Sequence, residues 1–129
     1  MVVHRPEFEP IPEPIPSIDV RRVDHPNGVV LEVAGDVDLS NAPQIGAVFE
    51  HVLQAAPAVL VIDLSRVTFL GSAGLGLLIR AHEHAGVGEV RVAAPSSAAR
   101  RAIEITALDQ VLPLFPTVDD ALSMNTPQP

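Results

Sequence analysis

The period of polar and apolar residues changes repeatedly along the chain, and each change marks an element. Ile18, Val20 and Val23 lead into Asp24-His25-Pro26-Asn27-Gly28, and Val29-Val30-Leu31-Glu32-Val33 follows. Asn-Gly between two apolar runs is a hairpin signal, because both residues tolerate positive φ. Two antiparallel strands are therefore expected. From Ala42 to Ala55 the spacing becomes helical: Ile45, Val48, Phe49, Val52 and Leu53 fall at i, i+3, i+4, i+7 and i+8. Ser40 or Asn41 can cap this helix, and Pro43 is tolerated in its first turn. Ala58 to Leu64 is then almost continuously apolar. A strand apolar on both faces is covered on both, as in a parallel sheet packed by helices.

A second helix is expected from about Ala73 to Ala85, with Leu75, Leu78, Ile79 and His82 on one side and Gly86 and Gly88 as its stop. Val90 to Ala94 reads as a further strand, and Pro95-Ser96-Ser97 opens a third helix reaching about Thr106. Val111 to Phe115 suits a short edge strand and Val118 to Met124 a final helix. The order ββαβαβαβα predicts an α/β domain. Its sheet is mixed but mostly parallel, with four to five strands, an N-terminal antiparallel hairpin and about four helices. That domain spans residues 18–124. Residues 1–17 carry five prolines and read as an extended, disordered arm, and residues 125–129 as a frayed tail.

Composition narrows the chemistry. The chain has 129 residues, enough for one core, which must be aliphatic because only 3% of residues are aromatic. It has no cysteine, which removes disulfides, thiolate metal sites and cysteine nucleophiles. All eight cations are arginines against sixteen carboxylates, and the formal charge is −8. Nucleic acid, whose binding needs a dense basic face, is thus not the expected partner. No apolar run approaches membrane-spanning length, no signal-peptide pattern opens the chain, and the default location is the cytoplasm. His4, His25, His51, His82 and His84 show no metal-ligand spacing. Arg100-Arg101 reads as a solvated helix face, with a partner contact as the alternative.

The chemically informative stretch is Asp63-Leu64-Ser65-Arg66-Val67-Thr68-Phe69-Leu70-Gly71-Ser72-Ala73-Gly74-Leu75-Gly76. A buried strand is expected to end at Asp63, a short apolar loop to follow, and Ser72 to stand as N-cap of the next helix. Gly74 and Gly76 cost helix propensity, and they would let another molecule approach the first turn closely. Three readings compete. A phosphate cradle of the P-loop type needs a lysine that the chain lacks, and Gly71, Gly74 and Gly76 are not in dinucleotide-binding order. A serine hydrolase elbow needs glycine where Leu70 stands, and no histidine is favourably placed. The third reading is a serine cap that is phosphorylated.

This stretch resembles the signature of the STAS domain family, as found in bacterial anti-sigma factor antagonists: a buried strand, Val-x-Phe, an exposed serine, a small residue and Gly-Leu-Gly opening a helix. Gly35-Asp36-Val37-Asp38 is similar to a second family element, an acidic loop after the second strand. Ala94-Pro95-Ser96-Ser97 with Arg100 and Arg101 resembles a third. The likeness covers about Ile18 to Leu122. It implies a binding module, not an enzyme. The unphosphorylated form would bind an anti-sigma factor that is also a serine kinase and so free a sigma factor. Phosphorylation of Ser72 would end the complex, and a metal-dependent serine phosphatase would restore it. ATP and Mg²⁺ would belong to the partner kinase, leaving this chain without cofactor or metal. Asp36, Asp38, Gly71, Ala73, Gly74 and Leu75 are the expected partner-binding residues. The free module is expected to be a monomer or weak dimer. Many antagonists carry an acidic residue where this chain has Gly71. The alternative is a small nucleotide- or ligand-sensing STAS module without a phosphorylation switch.

Overall fold

The computed structural model describes residues 18–85, 88–94 and 98–123. The proline-rich arm, the tail from Met124, the stop at Gly86 and the Pro95-Ser96-Ser97 helix start lie outside the described residues. The strands are β1 (Ile18–His25), β2 (Gly28–Val37), β3 (Val59–Leu70), β4 (Glu89–Ala93) and β5 (Leu114–Phe115). The helices are α1 (Ala42–Gln54), α2 (Ser72–Glu83), α3 (Ala98–Ile105) and α4 (Val118–Ser123), with a short 3-10 turn at Leu108–Gln110. One sheet has the order β1-β2-β3-β4-β5; β1 pairs antiparallel with β2, and every later pair is parallel. The expected mixed sheet with an N-terminal hairpin is the observed one.

The hairpin closes differently from its expected chemistry. His25 pairs with Gly28, so Pro26 and Asn27 are the turn, and neither Asn27 nor Gly28 has positive φ. Proline at the first turn position sets the required φ unaided. Gly28 is small for another reason: a Cβ there would stand 2.6 Å from the Val59 carbonyl oxygen on the neighbouring strand.

α1 buries Ala42, Ile45, Val48, Phe49 and Val52, the face its spacing predicts. α2 is rotated relative to expectation. It buries Gly74, Leu77, Leu78 and Ala81, while Leu75, Ile79 and His82 are only half-buried. These two helices and α3 cover one face of the sheet, packing on Leu31, Val33, Leu60, Ile62, Val90 and Val92. Among the described residues, the opposite face is closed by α4, through Ala121 and Leu122 against Val30, Val59, Val61 and Ala93. Beneath α4 lies Arg91, only 1% exposed. Its guanidinium donates to the Ala121 carbonyl and to Glu89 Oε1, the latter at 3.0 Å, with its centre 5.7 Å from the Phe115 ring centroid. A buried cation held by a carboxylate, a helix carbonyl and a ring fixes α4 on the sheet.

Arg100 corrects the solvated-face reading. Its guanidinium donates to the Ala94 carbonyl at 2.9 Å and to Glu104 at 3.0 Å, tying α3 to the end of β4. Arg101 beside it is exposed.

The largest departure is in β3, which runs on to Leu70 through the segment expected as a loop. Two register shifts against β2 explain it. Glu32 faces Asp63 but Ala34 faces Arg66, and Gly35 faces Val67 but Asp36 faces Phe69. Each shift places one extra residue on β3, as in a β-bulge. The core side chains of this half-strand are therefore Leu64, Val67 and Leu70, three apart instead of two. Gly35, at φ 115°, sits where the second shift begins; this is backbone that a side chain would strain. The Gly35-Asp36-Val37 part of the acidic element is accordingly strand, not loop.

Candidate functional site

β2 and β3 are parallel, so their carboxyl ends lie together, and the Gly71 N–H donates to the Val37 carbonyl at 3.0 Å. That bond sets the turn entering α2 beside the loop entering α1. In α/β sheets such a junction at the strand ends is where ligands and partners are met.

Ser72 is the first residue of α2, and Gly71, in extended conformation, holds the N-cap position. The expectation of Ser72 as the cap is thus corrected by one residue. The Ser72 side chain is exposed, and its Oγ makes no hydrogen bond to any described residue. The helix start does not use the hydroxyl.

The neighbouring loop is held by its own polar groups. Asn41 is fully buried; its Oδ1 accepts from the Asp38 N–H at 3.0 Å, and its Nδ2 donates to the Asp36 carbonyl at 2.7 Å. Asn41 therefore occupies the N-cap position of α1 without a side-chain cap bond, because that side chain closes the loop instead. Asp38 Oδ1 accepts from the Ser40 N–H at 2.9 Å and from Ser40 Oγ at 2.6 Å. The Asp36 carboxylate accepts from Thr68 Oγ1, the extra residue at the second bulge.

The Ser40 side-chain hydrogen bond, followed by the Ser40 backbone bond, holds the Asp38 carboxyl below the ordinary aspartate range; burial opposes weakly. A carboxyl whose pKa is lowered on folding stabilises the folded loop above its unfolded pKa. That contribution is lost as pH falls through the folded value, here below about pH 4. Ser40→Ala is expected to raise the Asp38 pKa toward the ordinary value, read by carboxyl ¹³C chemical shifts across an acid titration. An unchanged titration would show that Ser40 is not the cause.

The expected partner-binding residues are placed as follows. Asp36 is exposed, and Asp38, Gly71, Ala73 and Leu75 are half-buried around Ser72. Gly74 faces inward: a Cβ there would stand 2.5 Å from Leu70 Cδ1 and 2.7 Å from Val37 Cγ1. Its smallness serves helix-on-sheet contact, not access from outside. Gly76 does leave open space, with only Arg80 Nη1 nearby at 3.6 Å.

Two residues of this face escaped the sequence reading. Leu39, between Asp38 and Ser40, is 83% exposed, and Phe69 is 50% exposed. The Phe69 ring lies against Gly71, whose Cβ would meet Cε2 at 3.0 Å. Any side chain at position 71, an acidic one included, would push on that ring. Ser72 is thus flanked by exposed apolar groups on both adjoining segments, a composition suited to protein contact. The signal available in the sequence was a leucine inside the polar run Asp38-Leu39-Ser40-Asn41, where no core period demands it.

Among the described residues, no group of three or more His, Asp or Glu side chains converges as a metal site would require. None of the described helices is long and apolar enough to cross a membrane.

Comparison with known proteins agrees with this geometry. The STAS domain family matches over residues 17–121. The anti-sigma-F factor antagonist RsfB of Mycobacterium tuberculosis is 40% identical over 108 residues, covering 83% of this chain and 88% of that protein. A crystal structure of an anti-sigma factor antagonist from Mycobacterium paratuberculosis superposes with a TM-score of 0.80 at 42% identity, over 83% of this chain and 92% of the other. The Bacillus cell fate determinant SpoIIAA, in its phosphorylated form, shares the fold at a TM-score of 0.63 and 20% identity, over 84% of this chain and 100% of the other.

Proposed function

The chain belongs to the STAS domain family, and we propose that within it this protein is an anti-sigma factor antagonist, a cytoplasmic binding protein without catalytic activity of its own. Unmodified, it binds an anti-sigma factor of the serine-kinase type and so releases a sigma factor. The partner kinase, using its own ATP and Mg²⁺, phosphorylates Ser72 and ends the complex, and a serine phosphatase restores it. The observation that carries this reading is an exposed serine hydroxyl without a hydrogen-bond partner among the described residues, at the junction of the two segments that carry the exposed Leu39 and Phe69. The 40% identity to a protein named as such an antagonist supports the partner class.

The test is to incubate the protein with its cognate anti-sigma factor, ATP and Mg²⁺ and to map the phosphate. Modification at Ser72 alone is expected. Phosphate on Ser65 or Thr68 with Ser72 bare would sink the switch. The contact surface is tested separately. Apolar anchors at an interface centre are each worth about 1–2 kcal/mol or more, so Leu39→Asp and Phe69→Asp are each expected to weaken anti-sigma binding roughly 5- to 30-fold. Far-UV circular dichroism should not change, because both side chains are already solvated. Ile105→Asp, an exposed position at the last residue of α3, should bind as wild type does. Equal binding by all three variants would misplace the interface.

One observation favours the ligand-sensing alternative, a cleft of about 470 Å³ between α1 and α2 lined by Gly46, Phe49, Leu53, Leu77, Arg80 and His84. Wild-type anti-sigma binding by a Ser72→Asp variant, together with no phosphate on Ser72, would promote that reading.

A further inference from the structure

Ser72, Gly76 and Arg80 stand at i, i+4 and i+8 of α2 and share one face of the helix. Residues eight apart are normally two turns, about 12 Å, from each other. Long helical side chains lean toward the N-terminus, and Gly76 leaves the intervening position empty. Arg80 uses that space: its Nη1 lies 3.6 Å from where a Gly76 Cβ would be. The guanidinium is thus about one turn from Ser72, not two.

Arg80 is exposed, and its guanidinium makes no hydrogen bond or ion pair with any described residue. Arg21, Arg22, Arg91 and Arg100 each hold a carboxylate; the exposed Arg66 and Arg101, like Arg80, do not, but neither stands on α2. Gly76 differs from Gly74 in the same way. Gly74 is required by contact with Leu70 and Val37, whereas among the described residues outside the helix's own backbone and its chain neighbours only the Arg80 guanidinium comes within 4 Å of a Cβ at Gly76. A glycine that costs helix propensity without serving the core is accounted for if its empty position is used by the arginine.

We propose that Arg80, lying over Gly76, is the intramolecular partner of a phosphate carried on Ser72. The inference rests on the reading of Ser72 as a phosphorylated residue. A phosphoserine presents three acceptor oxygens and close to two negative charges, and a guanidinium fork matches them. The carboxylates of Asp36 and Asp38 repel the phosphate and are engaged by Thr68 and Ser40; Glu50 of α1 lines the same cleft as Arg80 without forming an ion pair with it, and Arg66 is exposed on β3. Modification then alters the α2 face twice. It adds an anion at position 72, and it takes up a cation that the unmodified protein leaves free.

The experiment uses the full chain with phosphoserine installed at position 72 during translation, and follows the phosphate by ³¹P NMR across its second ionisation. A nearby guanidinium favours the dianion, so the pKa of wild type is expected to lie about half a unit below that of Arg80→Gln, a threefold difference in proton affinity. Arg80→Lys should recover part of the shift, because the charge remains and the fork does not. Arg22→Gln, which removes an equal charge from β1, should titrate as wild type does. The same pKa in wild type and Arg80→Gln would overturn the proposal, as would an equal shift in Arg22→Gln. Neither result bears on whether the kinase modifies Ser72, and a kinase that leaves Ser72 bare would sink the functional reading while leaving the ion pair measurable.

Discussion

Phosphorylating Ser72 is expected to weaken anti-sigma binding about a thousandfold while moving the thermal midpoint by only a few degrees. The asymmetry follows from where the hydroxyl stands. Ser72 is the first helical residue and its Oγ caps nothing, so modification breaks no native hydrogen bond. The new charge of about −1.5 to −2 sits at the positive end of the α2 dipole, which favours an anion there by about 0.3–1 kcal/mol. Repulsion from Asp36 and Asp38 opposes this, and solvent screens it at an exposed site. The two effects on folding are small and of opposite sign. Binding is different. A partner covering Leu39, Phe69 and Ser72 must strip water from the dianion, whose charge of about −1.5 to −2 a single guanidinium at Arg80 offsets only in part, and burying the remaining charge together with that guanidinium costs several kcal/mol. At 1.4 kcal/mol per decade, about 4 kcal/mol gives the thousandfold loss. Thermal midpoints and anti-sigma affinities of the unmodified and the phosphorylated protein check both halves together. A midpoint lowered by ten degrees or more with affinity intact would reverse the argument.

Elements with one undisturbed period were legible before the structure. α1 shows its face at i, i+3, i+4, i+7 and i+8, and the first half of β3 shows both faces buried as a continuous apolar run. The second half of β3 was not legible, for a definite reason. Two bulges space its core residues by three, and three is the period of neither a strand nor a helix. The serine was recognisable because chemistry, not periodicity, marks it. Its surroundings were recognisable only in part. That Asn41 turns its side chain back into the loop depends on the Asp38 N–H and the Asp36 carbonyl both facing it, which the order of residues alone does not show. That Arg91 is buried depends on α4 returning thirty residues later to cover it. Contacts made across the sheet leave no trace in the local pattern.

The two glycines of Gly-Leu-Gly look alike in sequence, and the structure assigns them opposite stability effects. At Gly76 a methyl group meets only the Arg80 guanidinium, at an ordinary 3.6 Å. Gly76→Ala is therefore expected to stabilise the protein by up to about 1 kcal/mol, the difference in helix propensity. At Gly74 the helix rests directly on the strands. The Cβ position is 2.5 Å from Leu70 Cδ1, which can rotate away, but also 2.7 Å from Val37 Cγ1 and 3.3 Å from Val37 Cβ, which cannot. Gly74→Val brings two further methyl groups into that contact, and overpacking on this scale costs about 3 kcal/mol. For a domain of this size the midpoint should fall by about 10–20 °C. Binding should suffer as well, because Val37 and Leu70 end the two strands that bring the Asp38 loop and the Ser72 turn together. Urea unfolding of the two single variants gives the comparison. A destabilised Gly76→Ala beside an unaffected Gly74→Val would mean that α2 does not lie on the sheet as the structure has it.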